Sequence, residues 1–96
     1  MIPAVIRADV EAERRRQDGK WGEQNHDPSK WAQIIAEEFG EASKEDLQGR
    51  PYGYRREMVE LAASVIAAIE SFDRTISQQK ETDVASEELD STPQIG

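Results

Sequence analysis

Apolar residues recur along this chain three to four positions apart in three stretches, the spacing of amphipathic helices. The first stretch is sparse. Val5, Ile6, Val10 and Ala12 stand against Arg14, Arg15 and Arg16, and the pattern predicts a helix that starts after Pro3 and runs to about Gln17, ended by Asp18 and Gly19. The second opens at Pro28, with Asp27 placed to cap it, and runs to about Gln48. The third, from about Tyr54 to Ile76, is the most apolar: Met58, Leu61, Ala62, Val65, Ile66, Ile69 and Phe72 share one stripe. A polar loop, GKWGEQNHD, joins the first two helices, and Gly49, Pro51 and Gly53 make a short turn between the last two. No strand pattern and no repeat is present.

The expected fold is therefore all-α, an antiparallel helical hairpin plus an N-terminal helix. Few large side chains are available for its core, so three helices alone bury little. Ala62, Ala63, Ala67 and Ala68 would let another helix approach closely. The expectation is an obligate homo-oligomer, dimer or tetramer, in which a second copy completes a four-helix bundle.

Glutamates break into the second and third stretches as EExxE (Glu37, Glu38, Glu41), a gap, and ExxE (Glu57, Glu60). On a wheel of 100° per residue with Trp31 at zero, Ala42 falls near about 20°, Ile35 near 40°, Phe39 near 80° and Ile34 near 300°, and these five define one stripe expected to be buried. Glu38, near about 340°, and Glu41, near 280°, point into or along that stripe. A carboxylate buried without a partner costs several kcal/mol. Few basic residues are placed to answer these, Arg55 at the start of the third helix being the nearest. A divalent cation is the simplest answer.

Composition narrows the choice of chemistry. Ninety-six residues allow one small domain, here 1–76, followed by an acidic tail, 77–96, whose composition predicts disorder. In that tail one lysine against five acidic residues leaves −4, half of the chain's −8. A mildly acidic domain argues against a nucleic-acid polymer as partner. Without cysteine, neither a disulfide nor a thiolate zinc site is possible. No apolar run is long enough to span a bilayer and no signal-peptide pattern opens the chain, so a cytoplasmic protein with no membrane partner is expected.

An all-oxygen ligand set suits Mg²⁺, with Mn²⁺ as the alternative, whereas zinc would bring His or Cys and only His26 is on offer. In an antiparallel hairpin with its turn near Tyr52, Glu41 and Glu60 come within about one helical turn of level, with Glu57 and Glu38 to either side. Two such ions could bridge phosphates and activate water, and a glutamate not fully engaged by metal could take that water's proton. The competing reading is ordinary: most helical glutamates face water or pair with a cation, and Glu37 and Glu41 have Lys44 and Arg56 within reach.

The order of these pieces resembles the MazG-like family of all-α nucleoside triphosphate pyrophosphohydrolases. EEFGE (Glu37 to Glu41) matches the first half of its EExxE–spacer–ExxD pattern, and EMVE (Glu57 to Glu60) followed by LAASVIAAIE matches the second. The lead-in KWGEQNHDPSKW looks like the segment that precedes the first metal helix in short members, and the likeness covers about residues 18 to 72. It implies conversion of NTPs or dNTPs to the monophosphate and pyrophosphate with Mg²⁺. By that likeness Glu37, Glu38, Glu41, Glu57 and Glu60 carry the metal site, with Glu37, Glu38 and Glu41 as catalytic candidates. Glu60 departs from the family Asp by one methylene, which could shift a metal or weaken activity.

Substrate contacts are candidates on chemistry alone. Lys20, Arg55 and Arg56 can balance phosphate charge, and Trp21 can stack on a base where Trp31 belongs to the core. His26, Gln24 and Asn25 can meet a base or ribose. Against the enzyme stand a helical module that binds nucleotide without turnover and a purely structural dimerisation hairpin.

Overall fold

Helix α1 (Ala4–Trp21) begins directly after Pro3, whose fixed φ suits a helix entrance. It does not stop at Gly19. The helix runs on to Gly22, which ends it with φ 72°, a left-handed value that glycine adopts freely, while its N–H donates to the Asp18 carbonyl at 2.8 Å. Lys20 and Trp21 therefore belong to the last turn of α1 and not to a loop. In this computed structural model the backbone is described for residues 1–90 and side chains for 1–80.

Helix α2 (Pro28–Leu47) starts where the sequence places it. The Asp27 side chain accepts from the Lys30 N–H at 2.8 Å and Pro28 fills the first helical position. Its end is a Schellman turn: the Arg50 N–H reaches the Glu45 carbonyl at 2.9 Å and the Gly49 N–H reaches Asp46 at 3.0 Å, with Gly49 at φ 70°.

Pro51 opens α3 (Pro51–Asp90) at once, so the turn is centred on Gly49 and not near Tyr52. Gly53 lies inside the helix, under the Glu45 carboxylate, where a Cβ would come within 2.6 Å of Oε2. This shift of register has a consequence for the glutamates. Glu41 and Glu57 each stand eight residues from Gly49, and Glu38 and Glu60 each stand eleven, so the pairs lie level across the hairpin.

Helix α3 also runs past Ile76, the end expected from the sequence, because no glycine or proline interrupts it and Gln78, Gln79 and Lys80 are good helix formers. Disorder expected from Ser77 onward thus gives way to helix through Asp90, while 91–96 lie outside the described residues. No helix among the described residues is long and apolar enough to cross a membrane.

Helix α3 is the centre of the molecule, packing against α2 and against α1. The face it uses is made of small and polar residues: Ala63 and Ser71 are fully buried and Ser64 nearly so, facing Trp31, Ala42 and Gln17. The long apolar stripe points elsewhere. With Ala63 at zero, Ser71, Ser64 and Glu60 fall between about 60° and 100°, whereas Phe72, Val65, Met58 and Ile69 fall between about 180° and 240°. Those four are 36–54% exposed, and Phe39 on α2 is 59% exposed.

Side-chain pins complete the packing. Arg14 holds Glu70 at 2.7 Å, and Arg74 holds the connector through Asn25 Oδ1 at 2.8 Å and the Gln24 carbonyl at 3.2 Å. Because Ala63 has no room for a larger group, Ala63→Leu should cost about 1–3 kcal/mol, seen as a lower urea midpoint.

Candidate metal centre

The hairpin register brings four carboxylates together. Glu38 and Glu41 from α2 and Glu57 and Glu60 from α3 each present an oxygen, all within 4.8 Å of one another. One i, i+3 pair on each helix puts both members on one side, and level pairing across the hairpin closes the set. Glu60 joins the cluster despite its longer side chain. Glu37 does not: it is exposed and reaches Glu41 only as a nearby like charge.

Helix α1 supplies the third wall, which the sequence reading missed. Arg55 pairs with Asp9 of α1 at 2.9 Å and does not answer the cluster. Arg16 is the cation that Glu38 feels, and Glu13 adds a further negative charge. Glu13, 10% exposed at its side chain, holds Arg16 through Nε at 2.6 Å and Nη2 at 2.6 Å. The i, i+3 pair was visible in the chain, but α1 is too weakly amphipathic to say which side faces α3.

Arg16 acting on Glu38, Lys44 on Glu41 and Arg56 on Glu57 do not offset the burial and mutual repulsion of the carboxylates. Glu38 is pushed above the usual carboxylate value of 4.5 by desolvation first, then by repulsion from Glu41, Glu57 and Glu13. Glu41 rises through desolvation, hydrogen bonding with Glu57 and repulsion. Glu57 rises through desolvation and its contact with Glu60. Oε2 of Glu38 and Oε2 of Glu57 are buried without a hydrogen-bond partner. Buried acceptors left unpaired are costly, and the donor set is entirely oxygen, so these residues fit a hard divalent cation.

The expected substrate contacts are dispersed around this centre. Lys20 stacks over the ring of Trp21 at 4.7 Å, with the Arg16 guanidinium at 5.9 Å, and Trp21 is half exposed at the end of α1. His26 is half-buried, edge-on to Trp31 at 5.0 Å, with its carbonyl accepting from the Ser71 hydroxyl at 3.4 Å, a packing role. Arg74 takes the Asn25 side-chain oxygen and the backbone carbonyl of Gln24. Arg56 sits beside the cluster, 4.0 Å from Glu57. Compared with known proteins, the chain matches no family model, no curated protein and no solved structure.

The raised carboxylates have a pH signature. A folded-state pKa above the unfolded one means that the folded chain holds more protons, so this contribution is full below about pH 4.5 and is lost as pH rises through the folded values. The metal-free protein should therefore melt lower at pH 7 than at pH 5, and Mg²⁺ should restore more at pH 7. Glu38→Gln should raise the metal-free melting temperature at pH 7 by a few degrees, each kcal/mol being worth roughly 4–8 °C, and lose that gain in saturating Mg²⁺. Differential scanning fluorimetry with and without Mg²⁺ reads both effects.

Proposed function

We propose that this chain is a Mg²⁺-dependent nucleoside triphosphate pyrophosphohydrolase of MazG-like kind, releasing the nucleoside monophosphate and pyrophosphate. The observation that carries the reading is the convergence of Glu38, Glu41, Glu57 and Glu60 within 4.8 Å, two of them with orphaned buried oxygens. The EExxE–spacer–ExxE order adds support. Mg²⁺ in such a site neutralises phosphate charge and lowers the pKa of a bound water, and Mn²⁺ would serve similarly.

The chain's own groups supply the rest. Glu38, Glu57 and Glu60 serve as ligands, presenting carboxylate oxygens from opposite sides of the hairpin. Glu41, the most exposed of the four, is the group best able to accept the proton of the attacking water. Attack at the α-phosphorus forms one P–O bond to water and breaks the P–O bond to the β-phosphate, so pyrophosphate leaves with the bridging oxygen. Glu37, outside the cluster, has an outer role through its charge on Glu41.

A second copy belongs to this reading. Phe39, Ile69 and Phe72, each more than half exposed, and the neighbouring Val65 and Met58 form an apolar surface, and a groove of 480 Å³ between α2 and α3 runs among Trp31, Ile35, Val65 and Phe72. Pairing two hairpins on this face would build a four-helix bundle and leave the carboxylates on the other side of α3 undisturbed. The same face also favours the alternative, a helical nucleotide-binding or interaction module without turnover.

Incubation with each NTP and dNTP plus Mg²⁺ separates the two. Monophosphate and pyrophosphate should form with at least one nucleotide, and Glu57→Gln should lower kcat/KM by about a hundredfold or more. Binding without turnover across the whole panel would leave the module. In sedimentation equilibrium the protein should have at least twice the 10.8 kDa chain mass, and Ile69→Glu with Phe72→Glu should reduce it to a single chain.

A further inference from the structure

An open groove of about 410 Å³ lies between α1 and α3, lined by Arg16, Arg55 and Arg56 together with Asp9, Glu13 and Glu60. Glu60 belongs both to this groove and to the four-carboxylate cluster, so the groove opens directly from the centre. In a chain of net charge −8 this concentration of guanidinium groups is distinctive. Three arginines against three carboxylates leave the lining neutral. A cation at the cluster would answer the Glu60 charge and tip the groove positive.

Two of the three arginines are held, and none is used up. Glu13, itself nearly buried, grips Arg16 on its Nε and Nη2 side, leaving the Nη1 edge of the fork free of that pair. Arg55 is fixed by Asp9 through Nη2 at 2.9 Å and is half exposed. Arg56 reaches its nearest carboxylates, Glu45 and Glu57, only at 3.9 and 4.0 Å, beyond hydrogen-bond distance. The held forks of Arg16 and Arg55 and the loosely placed one of Arg56 present donors that match the oxygens of a polyphosphate.

We propose that the α1–α3 groove is a pyrophosphate subsite, in which Arg16, Arg55 and Arg56 hold the distal phosphates of the substrate and then the leaving group. This inference rests on the hydrolase reading and gives it a direction. The phosphate chain runs from the carboxylate cluster along α1 toward Asp9. The nucleoside end lies on the other side of Arg16, toward the exposed ring of Trp21, whose centroid is 5.9 Å from the Arg16 guanidinium.

Isothermal titration of the full chain with Mg²⁺-pyrophosphate tests the groove without catalysis. Arg16→Gln, Arg55→Gln and Arg56→Gln should each weaken pyrophosphate binding about tenfold or more, the worth of a lost charge-assisted hydrogen bond. Arg15→Gln makes the same change of charge on the exposed side of α1 and should bind within about twofold of the unaltered protein. Arg56, which makes no hydrogen bond to its neighbours, is the variant least able to disturb the fold, and thermal melts identify any variant that does.

Unchanged pyrophosphate affinity in the melt-competent arginine variants overturns the proposal, as does an Arg15→Gln loss equal to theirs or an unaltered protein that binds no pyrophosphate. The two readings fail separately. Arginine-dependent pyrophosphate binding without nucleotide turnover upholds the groove and removes the enzyme. Turnover with pyrophosphate binding indifferent to the arginines upholds the enzyme and removes the groove.

Discussion

Four like charges within 4.8 Å are the constraint on which this structure turns. Nothing in hydrophobic packing favours such an arrangement, and the hairpin holds it only because the surrounding geometry leaves the glutamates little choice. Gly49 and Pro51 fix the register, so that residues eight and eleven positions from the turn face one another. Ala42 and Ala63, within one turn of the glutamates, and Trp31, about two turns away, then lock the helices together. The energy of ordinary packing is set against desolvation of the carboxylates first and their mutual repulsion second, and both raise the affinity of Glu38, Glu41 and Glu57 for protons. A site under such tension gains most from a cation, because metal binding stabilises the fold by whatever repulsion it removes.

The same constraint explains why α3 turns its small, polar face inward. Ala63, Ser64 and Ser71 allow the close helix approach that lets carboxylates from α2 and α3 meet, and bulky residues there would hold the helices apart. Large apolar side chains are displaced to the opposite side, where Phe72, Ile69 and Val65 remain exposed. The division of labour is thus around the axis of α3: one face assembles the site, and the other stays exposed.

Much of this was legible in the chain. Asp27, Pro28 and Gly49 mark α2 because capping and turn chemistry are local, and the stripe position of Glu38 and Glu41 follows from helical geometry alone. What escaped depends on long-range choices. Gly19 reads as a stop, yet helix propensity carries α1 to Gly22, which brings Trp21 beside Arg16. Tyr52 reads as the centre of a turn, yet proline at the first helical position moves that centre to Gly49. Phe39 reads as core, but its position on the flank of the stripe leaves it outside the contact between α2 and α3. Glu13 and Arg16 could not be assigned, because α1 shows little difference between its faces and only the tertiary fold selects one.

Glu60 shows how one methylene gains meaning from its surroundings. An aspartate at that position would hold its carboxylate closer to the α3 backbone. The longer glutamate reaches the common cluster and also lines the α1–α3 groove. Under the proposed function its charge would act on both ligands at once. Without a cation it cancels one of the three arginines, and with a cation beside it that cancellation ends. Under the proposed function, cation and polyphosphate would favour each other's binding through a single shared side chain, and linkage requires such an effect to run equally in both directions. On this view the departure at Glu60 does not mark a decayed site. It couples the two halves of one.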